Sequence, residues 1–138
     1  DKLDQGICVI TEVRYYQMYR DEPMFGDLDC ELRAQGFALH KLDFSKTVMV
    51  RNSQQKRLKK SSNRNQMLDG DAIYVRNIEG MADWSTEQVK QLALAAASVF
   101  TSIDLCVHCL DHLVERGVIR ADVPSGFVGQ LPSWMLES

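Results

Sequence analysis

The chain has 138 residues, of which 45% are hydrophobic and 25% are charged, and its formal net charge is −3. These values predict one globular domain or a large part of a bigger one, and they exclude a disordered chain and a generally basic nucleic-acid-binding protein. No stretch approaches the roughly 18 apolar residues of a membrane span, so we expect no membrane partner. The sequence starts at Asp1 without an initiator methionine or a signal region. We therefore expect a cytoplasmic protein whose first residue follows a cut, natural or experimental.

The first predicted element is a buried strand within residues 7–19. Both faces of this strand are apolar, with Ile7, Val9 and Val13 on one side and Cys8 and Ile10 on the other. Such a run is typical of a central strand that helices cover on both sides. The rest of the chain is therefore expected to pack around it.

The end of this strand carries the first candidate site residues. Ligands of open α/β sheets bind outside the carboxyl ends of the strands, where this chain places one carboxylate and three tyrosines: Glu12, Tyr15, Tyr16 and Tyr19. Glu12 is the candidate catalytic residue. The structural alternative is that Glu12 pairs with Arg14 or Arg51 and that the tyrosines cap the core with their hydroxyls in water.

A short helix and a second strand follow. Asp27 is a candidate N-cap for a helix over residues 28–35, with Leu28 and Leu32 on its inner face, and Gly36 ends it in the left-handed conformation. Residues 37–44 alternate as a strand, with one face formed by Ala38, Leu42 and Phe44. A strand, a helix and a strand at this spacing favour a right-handed parallel crossover.

Residues 46–68 form a predicted loop in which every charged side chain is basic. These side chains are Lys46, Arg51, Lys56, Arg57, Lys59, Lys60 and Arg64. The loop either closes over an anionic ligand, such as a phosphate or a sugar nucleotide, or is simply solvated and mobile. For the first case we assign Arg64 to substrate binding. Since no glycine-rich phosphate loop and no interleaved aromatic residues are present, we expect no nucleic-acid partner.

A third strand and a long helix are predicted next. Residues 71–76 alternate as a strand, for which an antiparallel return is as plausible as another crossover. Ser85 and Gln88 form a capping box before one long amphipathic helix that ends near Gly117. Its apolar residues recur every three or four positions: Val89, Leu92, Ala96, Val99, Ile103, Cys106, Leu110 and Leu113. The helix face either pairs across a dimer or packs on its own sheet. The tail from Val118 onward is predicted to wrap the surface without a helix.

The cysteine and histidine pattern predicts neither disulfides nor a metal site. Four cysteines, Cys8, Cys30, Cys106 and Cys109, lie within apolar patterns and are expected to be reduced core thiols. Cys106, His108, Cys109 and His112 have the spacing of helical ligands. Their positions around the helix do not converge on one point, so we expect no metal.

Three blocks of sequence, residues 10–40, 63–77 and 85–105, together resemble the carboxyl-terminal part of FkbM-type methyltransferases. The matching features are Glu12 with Tyr16, Tyr19 before the Pro23-to-Phe25 segment, the Gly36-Phe37 stop, the strand 71–76, and Ser102 with Asp104. That family depends on S-adenosylmethionine and mostly methylates oxygen atoms of sugars, polyketides or other small molecules.

The resemblance implies an α/β fold with a partial Rossmann-like methyltransferase sheet and a long carboxyl-terminal amphipathic helix. Residues 7–13 and 37–44 would be its fifth and sixth strands, and residues 71–76 an antiparallel seventh strand inserted between them. Residues 1–80 are then the substrate-side half with the basic loop, and residues 81–138 a helical extension and tail packed on it.

The resemblance also implies that S-adenosylmethionine belongs to the full-length protein, because the family's glycine-rich loop and acidic strand ends are missing here. We expect no cofactor in this chain and no activity of the chain alone. Glu12, Tyr16 and Tyr19 would contribute to a pocket for a small-molecule acceptor. The alternative is a non-enzymatic interaction module, with a possible homodimer through an exposed strand edge or the long helix.

Overall fold

The computed structural model describes residues 3–137. Residues 1, 2 and 138, and with them the predicted cut before Asp1, lie outside the described residues. The fold is mixed α/β, and the chain forms two compact units with the boundary between Asn77 and Ile78. The elements in chain order are β1 (Cys8–Arg14), α1 (Phe25–Ala34), β2 (Phe37–Val48), β3 (Gln66–Arg76), α2 (Thr86–Ser98), α3 (Ile103–Glu115) and α4 (Val123–Val128), with 3-10 turns at Lys60–Ser62, Ile78–Asp83 and Ser133–Met135.

The first unit is a three-stranded antiparallel sheet with the order β1-β3-β2. Both outer strands pair antiparallel with β3, so β1 and β2 run in the same direction without touching each other. The prediction of three strands with the last one antiparallel is therefore confirmed. The basic segment connects β2 to β3 as an antiparallel return, and β3 begins at Gln66, five residues before the predicted strand.

The central position belongs to β3, so the expectation that β1 is the central strand is wrong for the described part of the chain. Ala72, Ile73, Tyr74 and Val75 of β3 are at most 3% exposed, whereas Ile10 of β1 is 48% exposed. A sequence that is apolar on both faces does not distinguish a central strand from an edge strand, because neither position changes the alternation of side chains.

Two β-bulges in β2 change which of its side chains share a face. Leu39 pairs with Tyr74 and Lys41 with Ile73, which leaves His40 as the extra residue, and Asp43 is the extra residue of the second bulge. Each bulge shifts the alternation by one residue. Leu42 therefore leaves the face that it was predicted to share with Phe44, and both side chains are exposed, at 42% and 57%.

Helix α1 packs on one face of the sheet through its predicted inner residues. Leu32 is buried and Leu28 is partly buried against a cluster that includes Val13, Phe37, Ala72 and Tyr74. Its N-cap is Met24 rather than Asp27, because Asp27 Oδ2 lies three residues inside and accepts the Met24 N–H at 2.9 Å. The predicted stop is confirmed, since Gly36 has a φ of +85°, a conformation that glycine adopts without a steric penalty.

Two polar side chains of β3 hold the first unit together. The Tyr74 hydroxyl donates a hydrogen bond to Asp29 Oδ1 on α1 at 3.1 Å. Burial of the hydroxyl, and to a smaller extent this hydrogen bond, raises the pKa of Tyr74 to about 12. Arg76 donates to the carbonyl oxygens of Gly6 at 2.8 Å and Leu3 at 2.7 Å. Its guanidinium also lies 4.6 Å from the centre of the Phe37 ring. Arg76 thus joins the N-terminal turn to the sheet, a role that its sequence position did not suggest.

The second unit contains two helices where one long helix was predicted. Helix α2 ends at Ser98 and α3 begins at Ile103, and Thr101 between them has a φ of +49°. The Ser102 hydroxyl donates to Asp104 Oδ1 at 2.8 Å, and such short polar residues favour helix ends over helix interiors. Val99, which the long-helix pattern placed in the apolar stripe, is 63% exposed.

The capping box at the start of α2 is confirmed, since Ser85 Oγ accepts the Gln88 N–H at 3.2 Å and Gln88 Oε1 accepts the Ser85 N–H at 2.9 Å. Helices α2 and α3 pack against each other, and α4 packs on α3. The prediction of a tail without a helix is wrong, because Pro124 lies in the first turn of α4, where proline is tolerated. Among residues 3–137, no helix is both long and apolar enough to cross a membrane.

Candidate functional site

The loop after β1 presents the two predicted substrate-binding tyrosines to solvent. The backbone N–H groups of Tyr15 and Tyr16 both donate to the Leu68 carbonyl, at 2.9 and 3.1 Å, and this ends the pairing of β1 with β3. Tyr16 is 52% exposed and Tyr19 is 67% exposed. Both side chains are therefore available to a ligand.

Tyr15 differs from its two neighbours because its ring turns inward. The ring packs on Phe25 with a distance of 5.7 Å between centroids. Its hydroxyl is buried and has no hydrogen-bond partner among residues 3–137. Tyr15 therefore anchors the loop to α1 and is not presented to a ligand with Tyr16 and Tyr19.

Arg14 is the centre of an ion-pair cluster at the end of β1. Its guanidinium contacts Glu12 at 2.6 Å, Glu22 at 2.7 Å and Asp69 at 3.2 Å. The hydrogen bond that Arg14 donates to Glu22, together with the charges of the three carboxylates, raises the pKa of Arg14. The cluster joins β1, the following loop and β3, so its primary role is to fix the local structure.

Glu22 sets the shape of the loop that carries the tyrosines. Its Oε2 atom accepts the backbone N–H groups of Met18 and Tyr19, each at 3.3 Å. Burial alone would raise the pKa of Glu22, but the bonds from Met18, Arg14 and Tyr19 together lower it. The sequence gives no signal of this role for Glu22, because the contacts of a carboxylate in a loop depend on the loop conformation.

Glu12, the predicted catalytic residue, has the contact that the structural alternative describes. Its carboxylate pairs with Arg14 Nη1 at 2.6 Å, and its side chain is 57% exposed. An exposed carboxylate can reach a ligand, but Glu12 must first break its ion pair with Arg14. Glu12 as a catalytic residue therefore stays a prediction.

The basic connection between β2 and β3 forms a cavity of about 530 Å³. Three of its lining residues are cationic and the others are uncharged: Lys56, Lys60 and Arg64, with Val48, Met49 and Gln55. Cavities of roughly 300–1,000 Å³ are the usual size for small-molecule sites. The loop therefore borders an open cavity with space for a ligand.

This cavity brings Arg64 together with two lysines that sequence analysis did not single out. The three cations are four residues apart along the chain, yet between them the chain has only turns and the 3-10 turn Lys60–Ser62. Their convergence comes from these turns and not from an α-helix, although the four-residue spacing is close to a helical period. Glu12, Tyr16 and Tyr19 do not line the cavity.

The cysteines and histidines form no metal site in the described part of the chain. No group of three or more His, Cys, Asp or Glu side chains there could hold a metal ion. His108 and His112 make an edge-to-face ring contact at 4.8 Å. Cys106 and Cys109 are buried, which raises the pKa of both and that of Cys109 to about 12, while Cys30 is exposed rather than in the core as predicted.

Comparisons with known proteins add no relative to this geometry. No family model, no curated protein and no solved structure matches the chain.

Proposed function

We propose that the chain is the carboxyl-terminal, substrate-side segment of an S-adenosylmethionine-dependent methyltransferase that acts on an oxygen of a sugar or another small molecule. The observation that carries the proposal is the strand order β1-β3-β2. Consecutive strands are usually neighbours in a sheet, but here β1 and β2 are separated by the later, antiparallel β3. This is the arrangement that the resemblance implies for the last three strands of the methyltransferase sheet.

In this proposal the cofactor is held by sequence outside this chain. Residues 3–137 contain no strand followed by a glycine-rich loop, so no residue here is assigned to the cofactor. The end of β1 faces the acceptor, with Tyr16 and Tyr19 as its contacts. Glu12 takes the proton of the acceptor hydroxyl after exchanging its ion pair with Arg14.

Two experiments test the proposal. Isothermal titration of this chain with S-adenosylmethionine should give no heat, and micromolar binding would contradict the division between cofactor and substrate halves. In the longer protein that the proposal requires, Glu12→Gln should lower methyl transfer by about 10²-fold or more, the usual contribution of a general base. Glu31→Gln, an exposed carboxylate change on α1, is the control and should leave turnover unchanged.

A second candidate function is an interaction module that binds a partner or another copy through β1. Strand β1 lies at the edge of the sheet in the described residues, and its Ile10 is 48% exposed. An exposed edge strand is a template for pairing with another chain. Analytical ultracentrifugation separates this function from the first one, because a strict monomer at high protein concentration argues against self-association.

A further inference from the structure

We propose that the cavity of the β2–β3 connection is a binding site for the phosphate group of a small molecule, and we name it the basic cleft. It is lined by Lys56, Lys60 and Arg64 together with Val48, Met49 and Gln55. The proposal adds to the proposed function that the acceptor is a phosphorylated small molecule. It rests on that function only for the statement that the ligand is the methyl acceptor. Binding itself is measured on this chain without any cofactor.

The charges of the basic cleft are not neutralised by the protein. Residues 46–68 contain seven basic side chains and no acidic one. Within the described part of the chain, neither Lys56 nor Lys60 has an ion-pair partner. Cationic side chains brought together without carboxylates repel one another, and an anion bound between them removes that repulsion.

Arg64 is held in a position that suits a phosphate. Its Nε atom donates to the Thr47 carbonyl at the end of β2, at 3.2 Å. A guanidinium has five N–H donors in a rigid fork, so four donors remain for a ligand after this bond. Arginine uses such donors in pairs to bind phosphate oxygens.

The connection has internal bonds that shape the basic cleft without a ligand. Asn52 Oδ1 accepts the Gln54 N–H at 2.9 Å, and Asn63 Nδ2 donates to the Lys59 carbonyl at 2.9 Å. These bonds close the turns on either side of Lys56 and Lys60. A loop that is held by its own turns loses less conformational entropy when it binds a ligand.

The other lining residues decide between classes of anion. Val48 and Met49 supply an apolar wall, so the site fits a phosphate attached to an uncharged organic group. No aromatic residue occurs between positions 46 and 68, whereas single-stranded nucleic acid is usually bound by stacking its bases on aromatic side chains. The volume also suits a small molecule rather than a polymer.

The test is a titration of the full chain with inorganic pyrophosphate, followed by amide chemical shifts. We expect shifts confined to residues 47–64, with binding weakened by about tenfold or more in the triple variant Lys56→Gln, Lys60→Gln, Arg64→Gln, since charge-assisted bonds to phosphate are strong. The matched control removes the same charge from the same loop outside the cleft: Arg51→Gln, Arg57→Gln, Lys59→Gln. All six side chains are exposed, so both variants should keep the fold, which circular dichroism checks.

Three outcomes would overturn the proposal. The first is the absence of shifts up to about 10 mM pyrophosphate, where even weak binding is visible. The second is an equal loss of affinity in both triple variants, because that result describes general charge attraction and not a site. The third is binding to anionic phosphatidylglycerol vesicles or to an oligothymidine strand without binding to pyrophosphate, which would assign the basic loop to a membrane surface or to nucleic acid. None of these outcomes bears on the S-adenosylmethionine titration, so this inference and the proposed function can fail separately.

Discussion

Replacement of Arg76 by methionine tests whether one side chain holds the first unit together. Arg76 donates from Nε to the Gly6 carbonyl at 2.8 Å and from Nη2 to the Leu3 carbonyl at 2.7 Å. Longer bonds reach the carbonyls of Asp4 at 3.3 Å and Gln35 at 3.5 Å. The variant Arg76→Met keeps an apolar stem over Phe37 and removes all of these donors.

The expected loss follows from the two short bonds. Hydrogen bonds from charged donors contribute about 1.5–3 kcal/mol each to stability. The Arg76 side chain is only partly buried, so water replaces part of each bond and the lower end of the range applies. We expect Arg76→Met to lower the free energy of unfolding by about 3 kcal/mol, a large part of the roughly 5–15 kcal/mol of a typical domain.

Urea unfolding followed by the amide signals of β3 measures this loss. Arg76→Lys should give an intermediate result, because an ammonium keeps the charge but lacks the planar fork that spans two carbonyls. Arg57→Met is the matched control on the exposed loop, and we expect it to stay within about 0.5 kcal/mol of the wild type. If Arg76→Met also stayed within that range, the assignment of Arg76 as the connector of the N-terminal turn would be wrong.

Two further predictions follow from the same unit. A Cβ atom at Gly70 would lie 2.2 Å from the Phe44 carbonyl oxygen, so Gly70→Ala should lower stability by about 2 kcal/mol or more in thermal unfolding; Gly26→Ala, where nothing lies within 4 Å, is the control and should be neutral or stabilising. The folded-state pKa of Glu22 is lowered from 4.5. The ionised Glu22 carboxylate therefore stabilises the fold fully above pH 4.5, and this contribution is lost as the pH falls from 4.5 through the folded-state pKa. Glu22→Gln should therefore flatten the acid side of the curve of stability against pH, and parallel curves for both proteins would refute the role of Glu22.

The parts of the fold that sequence analysis predicted depend on local chemistry. The left-handed stop at Gly36 needs a residue without a Cβ atom, and the capping box of Ser85 and Gln88 needs a hydroxyl and an amide three residues apart. Both signals lie within a few residues of the structure that they produce. The strand order was available only through a resemblance, since pairing between distant strands leaves no mark in local periodicity.

The helix break at Thr101 shows why the second unit was mispredicted. The apolar period continues through Val99 and Ile103, so counting positions could not reveal that the chain reverses there. The available signal was the Ser102 and Asp104 pair, which favours a helix start.

The candidate site was predicted in part, for a similar reason. The excess of basic residues in 46–68 is a property of composition and was visible at once. The convergence of Lys56, Lys60 and Arg64 depends on irregular turns, which have no repeating signature. The same holds for Glu22, whose role depends on a loop that brings it back to Arg14.

The two bulges of β2 make the edges of the sheet unequal. A β-bulge makes an edge strand a poorer template for pairing, and the extra residues His40 and Asp43 interrupt the regular ladder of backbone groups on β2. Strand β1 pairs with β3 over seven consecutive residues without a shift. Within the described residues, β1 therefore offers a regular edge of unpaired backbone groups, whereas the edge at β2 is interrupted at two positions.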